Sequence, residues 1–156
     1  MVTVFDVAAF ILHKKGAMTA MKLQKLVYYC QAWSLVWDES PLFLERIEAW
    51  ANGPVVRDLY NVHKGKFQVD ISDIKGNLDA LNQPQQDTVL AVLRDYGNKS
   101  SQWLSDLTHS EVPWIEARQG LAPGERGENE ITLDSMYQYY QAIYTDGIDI
   151  ESDLHE

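Results

Sequence analysis

Apolar positions along the chain recur mostly at helical spacing. Thr3 is a good N-cap, the run to Lys15 is amphipathic, and Gly16 stands just past its end, so a first helix is predicted over 3–15. From Thr19, Leu23, Leu26, Val27, Cys30, Trp33 and Trp37 fall at steps of three and four. Tyr28, Tyr29, Ala32, Leu35 and Val36 fill much of the remaining circumference, and between 26 and 37 only Gln31 and Ser34 are clearly polar. A helix apolar nearly all round is a buried one, so this segment, to about Trp37, is predicted as the core helix. Each large side chain it hides contributes roughly 1.5–3 kcal/mol.

Beyond it, residues 44–50 read as a short strand of weak alternation, and Asn52-Gly53-Pro54 as a breaker. Pro54 is predicted to open a helix with Val55, Val56, Leu59, Tyr60 and His63 inward as far as Gly65. Residues 66–83 read as loop with one strand near 67–71. Pro84 opens a helix closed by Gly97, and Ser100 or Ser101 caps a short one with Trp103, Leu104 and Leu107 inward. "VPWIEAR" is a further short helix, 120–130 a Gly/Pro-rich charged loop, and the last helix runs from about Thr132 to Thr145 with Leu133, Met136, Tyr137, Tyr140 and Ile143 on one stripe. The sum is a mainly α, compact bundle of about six to seven helices with at most a small β element. It forms one domain, 1–145, followed by an acidic tail, 146–156, expected to fray.

Length and composition agree with one soluble domain of 156 residues. The N-terminal apolar run is short, with no basic segment before it and no small-residue cleavage site after it, so it reads as a helix, not a leader. No apolar stretch approaches the roughly 20 residues of a membrane span. With one cysteine, Cys30, the chain cannot form an internal disulfide, which fits a reducing cytoplasm. The net charge of −10 repels phosphate backbones and argues against nucleic-acid binding; it favours encounter with a basic partner or serves solubility.

Catalytic motifs are scarce. The four histidines are scattered, no His-x-His, HExxH or CxxC occurs, and neither a Gly-rich phosphate loop nor a nucleophile elbow is present, so no metal or cofactor is expected. Cys30, in the most apolar helix, is expected to be inert. "HKGKF", 63–67, is the nearest thing to an anion patch and more readily ends a helix.

"THSEVPWIEAR", 108–118, has two readings. As an enzyme corner, His109 is a general base, Glu111 its partner and Arg118 an anion clamp. As a helix–helix corner, His109 ends one helix, Ser110 caps the next, Glu111 is an acid in its first turn, Pro113 sits where no N–H is needed, and Trp114 anchors the turn. The structural reading accounts for more of the residues.

The stretches "KLQKLVYYCQAWSL" (22–35), "PLF" (41–43), "IEAWANGPVV" (47–56), "YGNKSSQWLSDLTHSEVPWIEAR" (96–118) and "MYQYYQAIY" (136–144) lie in order across about residues 18–144. In these the chain resembles the Panacea domain, the antitoxin domain of bacterial and phage toxin–antitoxin systems that include the Soc-type antitoxins. The resemblance implies a compact helical antitoxin of the cytoplasm. It would neutralise a cognate toxin by direct contact, possess no catalytic residues, and in some relatives act as an adaptor delivering the toxin to a protease. An alternative is a phage-derived interaction or adaptor protein acting on a host factor or protease without a toxin.

The family's signature residues fall on Lys22, Lys25, Tyr28, Tyr29, Trp50, Gly53, Pro54, Val55, Thr108, His109, Pro113, Trp114 and Arg118. Lys22, Lys25, Tyr29, His109 and Arg118 are the candidates for partner binding. Tyr28, Trp33, Trp50, Gly53, Pro54, Pro113 and Trp114 are the structural signature, with Tyr28, Trp33, Trp50 and Trp114 expected in the core and Gly53-Pro54 at a strand-to-helix corner. His109 and Arg118 are expected to hold a buried carboxylate, Glu48 or Glu111, in a network joining the two motifs.

Overall fold

The computed structural model describes residues 1–155, with side chains through residue 146. Its elements are α1 (Val4–Lys15), β1 (Met18–Thr19), α2 (Ala20–Trp37), β2 (Ile47–Trp50), β3 (Gly53–Val56), α3 (Arg57–His63), β4 (Gln68–Val69), a 3-10 turn (Ile71–Asp73), α4 (Gln83–Tyr96), α5 (Ser101–His109), α6 (Val112–Ala117) and α7 (Leu133–His155). Among the described residues this is a mainly α fold of seven helices with two small antiparallel strand pairs. The expectation of an acidic tail over 146–156 falls almost wholly outside the residues whose side chains are described.

Helix α2 is the axis. Every residue from Leu23 to Val36 is buried, and α1, α4, α5 and α7 pack around it. Three of its polar members, Gln24, Gln31 and Ser34, hold neighbouring backbone. Gln24 donates to the Val56 carbonyl at 3.2 Å and accepts from the Val56 amide at 2.9 Å. Gln31 donates to the Phe43 carbonyl at 2.7 Å and accepts from the Leu42 amide at 2.7 Å. Ser34 donates to the Ser40 carbonyl at 2.7 Å. Buried polar groups thereby find partners and fix the chain after α2.

Local signals set the other helix ends. Thr3 and Asp6 form a capping box on α1, and Asn82 and Gln85 another on α4. Gly16 ends α1 at φ 86°, and Ser100 caps α5 through the Trp103 amide.

Pro54 does not open a helix. It lies in β3, opposite Ala49 in the β2–β3 hairpin, whose register pairs Ile47 with Val56 and Trp50 with Gly53. Helix α3 begins three residues later, at Arg57. The hairpin gains a third side where the Ala49 amide donates to the Asn129 carbonyl at 2.8 Å and the Ile131 amide to the Ile47 carbonyl at 2.9 Å. Gly53-Pro54 is therefore the start of a strand and not a strand-to-helix corner.

Candidate functional site

The three signature stretches meet. The Lys25 side of α2, the 48–56 hairpin and the α5–α6 corner close on one another around Gly53. That glycine has φ 131°, which L side chains rarely adopt, and a Cβ there would stand 3.0 Å from Lys25 Cε and 3.4 Å from Thr108 Oγ1. Thr108 Oγ1 donates to the Ser105 carbonyl, and Ser105 Oγ to the Asn52 carbonyl, tying α5 to the hairpin turn.

Lys25 is 1 % exposed, and no ion pair to its ammonium is found among the described residues. Burial pushes its pKa down to about 8. His109 stacks on Trp114, ring centroids 4.1 Å apart, and its Nε2 is buried without a partner. Burial, then the charge on Lys25, holds the imidazole below its ordinary value.

Trp114 donates its indole N–H to the Trp50 carbonyl at 2.9 Å, and the Arg118 guanidinium lies over its ring at 5.2 Å. Arg118 also donates to the carbonyls of Ala49 at 3.0 Å, Ala122 at 3.4 Å and Glu125. Arg118 thus holds backbone, where a carboxylate was expected.

The two carboxylates are buried, but other groups satisfy them. Glu111 accepts from the Tyr29 hydroxyl at 2.6 Å and the Tyr140 hydroxyl at 2.9 Å, with the Tyr28 hydroxyl 3.0 Å from that of Tyr140. Tyr29 in turn stacks flat on Tyr96 at 4.3 Å. Burial raises the Glu111 pKa, and the two phenols offset only part of the rise. Glu48 accepts from Arg57 at 3.0 Å and Trp50 at 2.9 Å, with Arg46 at 3.4 Å. Burial pushes its carboxyl up, but the bonds from Arg57 and Trp50 and the charges of Arg57 and Arg46 outweigh it and leave the pKa lowered. Ser110 closes α5, donating to the Leu107 carbonyl, while Glu111 occupies the N-cap position of α6 without capping it. His109 stacks on Trp114 while Glu111 accepts from two phenols, and among the described residues no hydrogen bond joins the two as the enzyme reading requires.

Of the five candidates for partner contact, Lys25, Tyr29 and Arg118 are buried, while Lys22 and His109 retain surface. In the structural signature, Tyr28, Trp33, Gly53, Pro54 and Pro113 are buried, and Trp50 and Trp114 half-buried. Sequence reasoning missed Arg57, Tyr96 and Tyr140. Tyr140 carried a signal, since it lies on a predicted inward stripe and a buried phenol needs a partner; Arg57 carried none. Outside the hairpin, Trp50, Arg57, Tyr60, Lys64, Arg126 and Glu128 line a groove of about 570 Å³. Among the described residues no three His, Cys, Asp or Glu side chains are grouped to hold a metal ion, and no helix is long and apolar enough to cross a membrane.

No curated protein and no solved structure matches the chain. The family model described as antitoxin SocA-like, Panacea domain, matches residues 23–115, well over half of the chain, from the first turns of α2 into α6. The matched span contains the core helix, the hairpin and the Thr108–Trp114 corner, the segments that converge on Gly53 and Lys25, and leaves out Arg118 and α7. This chain belongs to the SocA-like antitoxin family defined by the Panacea domain.

Proposed function

We propose that this protein is a non-catalytic antitoxin of the cytoplasm that neutralises a cognate toxin by direct protein–protein contact. Family membership over residues 23–115 carries the reading. The engagement of the polar signature residues supports it. Arg118 holds the carbonyls of Ala49, Ala122 and Glu125, and Glu111 closes a tyrosine cluster. Groups so used shape a rigid surface, which is what a protein that acts by binding requires.

Growth is the test. Each gene flanking this one is expressed alone and then together with this chain. The expected result is a lethal neighbour whose toxicity is cured by co-expression and whose product co-purifies in stoichiometric complex, burying at least roughly 1,000 Å². Rescue without co-purification would replace blocking by delivery to a protease. A chain that cures no lethal neighbour is not an antitoxin, and a phage-derived adaptor acting on a host factor takes that place.

A further inference from the structure

A cleft of about 210 Å³ opens between the N-terminal ends of α2 and α5, walled by Thr19, Met21, Tyr60, Phe67 and Ser101. Phe67 stands at it 80 % exposed. Lysines surround this end of the molecule. Lys15 closes α1 and donates to Asn98 at 2.6 Å in the α4–α5 loop. Lys22 is close enough to Lys15 that, after burial, the charge on Lys15 is the next cause lowering its pKa. Lys99 lies over the ring of Trp103 at 4.8 Å, and Trp103 is 43 % exposed.

Among the described residues, Lys15, Lys22 and Lys99 have no carboxylate partner, as is also true of Lys14, Lys64 and Lys75, whereas Arg46, Arg57, Lys66, Arg94 and Arg126 each have one. The acids that flank Lys99 in the chain have partners of their own: Asp95 pairs with Arg94 and Asp106 accepts from Gln102, while Asp73 pairs with Lys66. On a chain of net charge −10, three lysines without carboxylate partners thus gather at one end, with an exposed tryptophan and an apolar cleft nearby. Exposed aromatic anchors next to uncompensated charge are what concentrates binding energy and sets orientation.

We propose that this end is the docking surface for an acidic segment of the toxin, an apolar side chain of that segment entering the cleft while its carboxylates meet Lys15, Lys22 and Lys99. The proposal rests on the antitoxin reading. Nucleic acid is the poorer occupant, because the whole-molecule charge opposes a phosphate backbone.

The test compares the full chain with a triple variant, Lys15→Glu, Lys22→Glu, Lys99→Glu, and with Trp103→Ala. All four sites carry exposed or half-exposed side chains, and circular dichroism checks that the fold is kept. Against the toxin found by the growth assay, both variants are expected to lose at least roughly tenfold in affinity, and wild-type binding to weaken with added salt. A folded triple variant that binds the toxin as tightly as wild type overturns the docking surface while leaving the antitoxin reading intact. Failure of the wild-type chain to rescue any neighbour overturns the reading instead. The surface is then decided by a glutamate-rich peptide with a central leucine, followed by amide shifts in NMR. Shifts gathered at residues 14–22 and 97–103, and absent from the triple variant, uphold it. Shifts elsewhere, no shifts, or tighter binding to a DNA duplex than to the peptide overturn it.

Discussion

The Lys25 side chain runs directly beneath Gly53, its Cε 3.0 Å from where a Cβ would be. Central helix and hairpin touch at that point, and the contact exists because one partner has no side chain.

Gly53→Ala is therefore expected to destabilise the fold by about 1–3 kcal/mol, combining strain at φ 131° with displacement of Lys25. Urea denaturation measures it. A loss below about 0.5 kcal/mol would mean that the hairpin turn yields freely.

Lys25→Met removes a buried ammonium that has no counter-ion and keeps most of the aliphatic volume. An expected gain of about 1–3 kcal/mol near neutral pH follows. The sign of the pH dependence is set by the lowered pKa: between about 8 and 10.5 the unfolded chain holds this proton and the folded chain releases it, so wild-type stability rises with pH relative to the variant. The relative rise is at most about 3 kcal/mol over that range. Parallel curves for the two proteins would show Lys25 compensated.

The same substitution should move the titration of His109 upward. Burial is the main cause of its lowered pKa and the Lys25 charge the next, so removing the charge restores part of the shift. Imidazole resonances followed by NMR against pH give the answer directly, and an unmoved His109 would separate the two groups.

Tyr29→Phe takes one of two phenol donors from Glu111 and should cost about 1–3 kcal/mol at pH 7. Because the folded carboxyl has a raised pKa, its contribution to stability is complete below about pH 4.5 and declines as pH rises through the folded value. Glu111→Gln abolishes that decline. Chemical denaturation of the three proteins at pH 4.5, 6 and 8 distinguishes them, and an unchanged slope in Glu111→Gln would refute the assignment.

Cys30 is fully buried and burial pushes its thiol pKa well up, so a thiol reagent should label it no faster than the chain unfolds globally. Labelling under native conditions that outpaces global unfolding would reveal a local opening of α2.

Where neighbours a few residues apart decide an outcome, the amino-acid sequence alone determined it. The Thr3–Asp6 box, the apolar circumference of α2, Gly16, Ser100 and the inertness expected of Cys30 all belong to this class, because capping and helical periodicity act within one or two turns. The family resemblance was legible for the same reason, being carried by contiguous runs. Tertiary structure decided the rest. Pro54 reads locally as a helix opener, but pairing across the turn with Ala49 made it a strand residue. Lys25 reads as a candidate for partner contact, yet Gly53 and Thr108, far along the chain, pack over it. Glu111 and Tyr29 are 82 residues apart, and nothing short of the packed bundle tells an acid of a helix start to turn inward to a phenol. Long-range contacts of this kind are chosen by how the faces of several helices fit at once, and no local stretch encodes that choice.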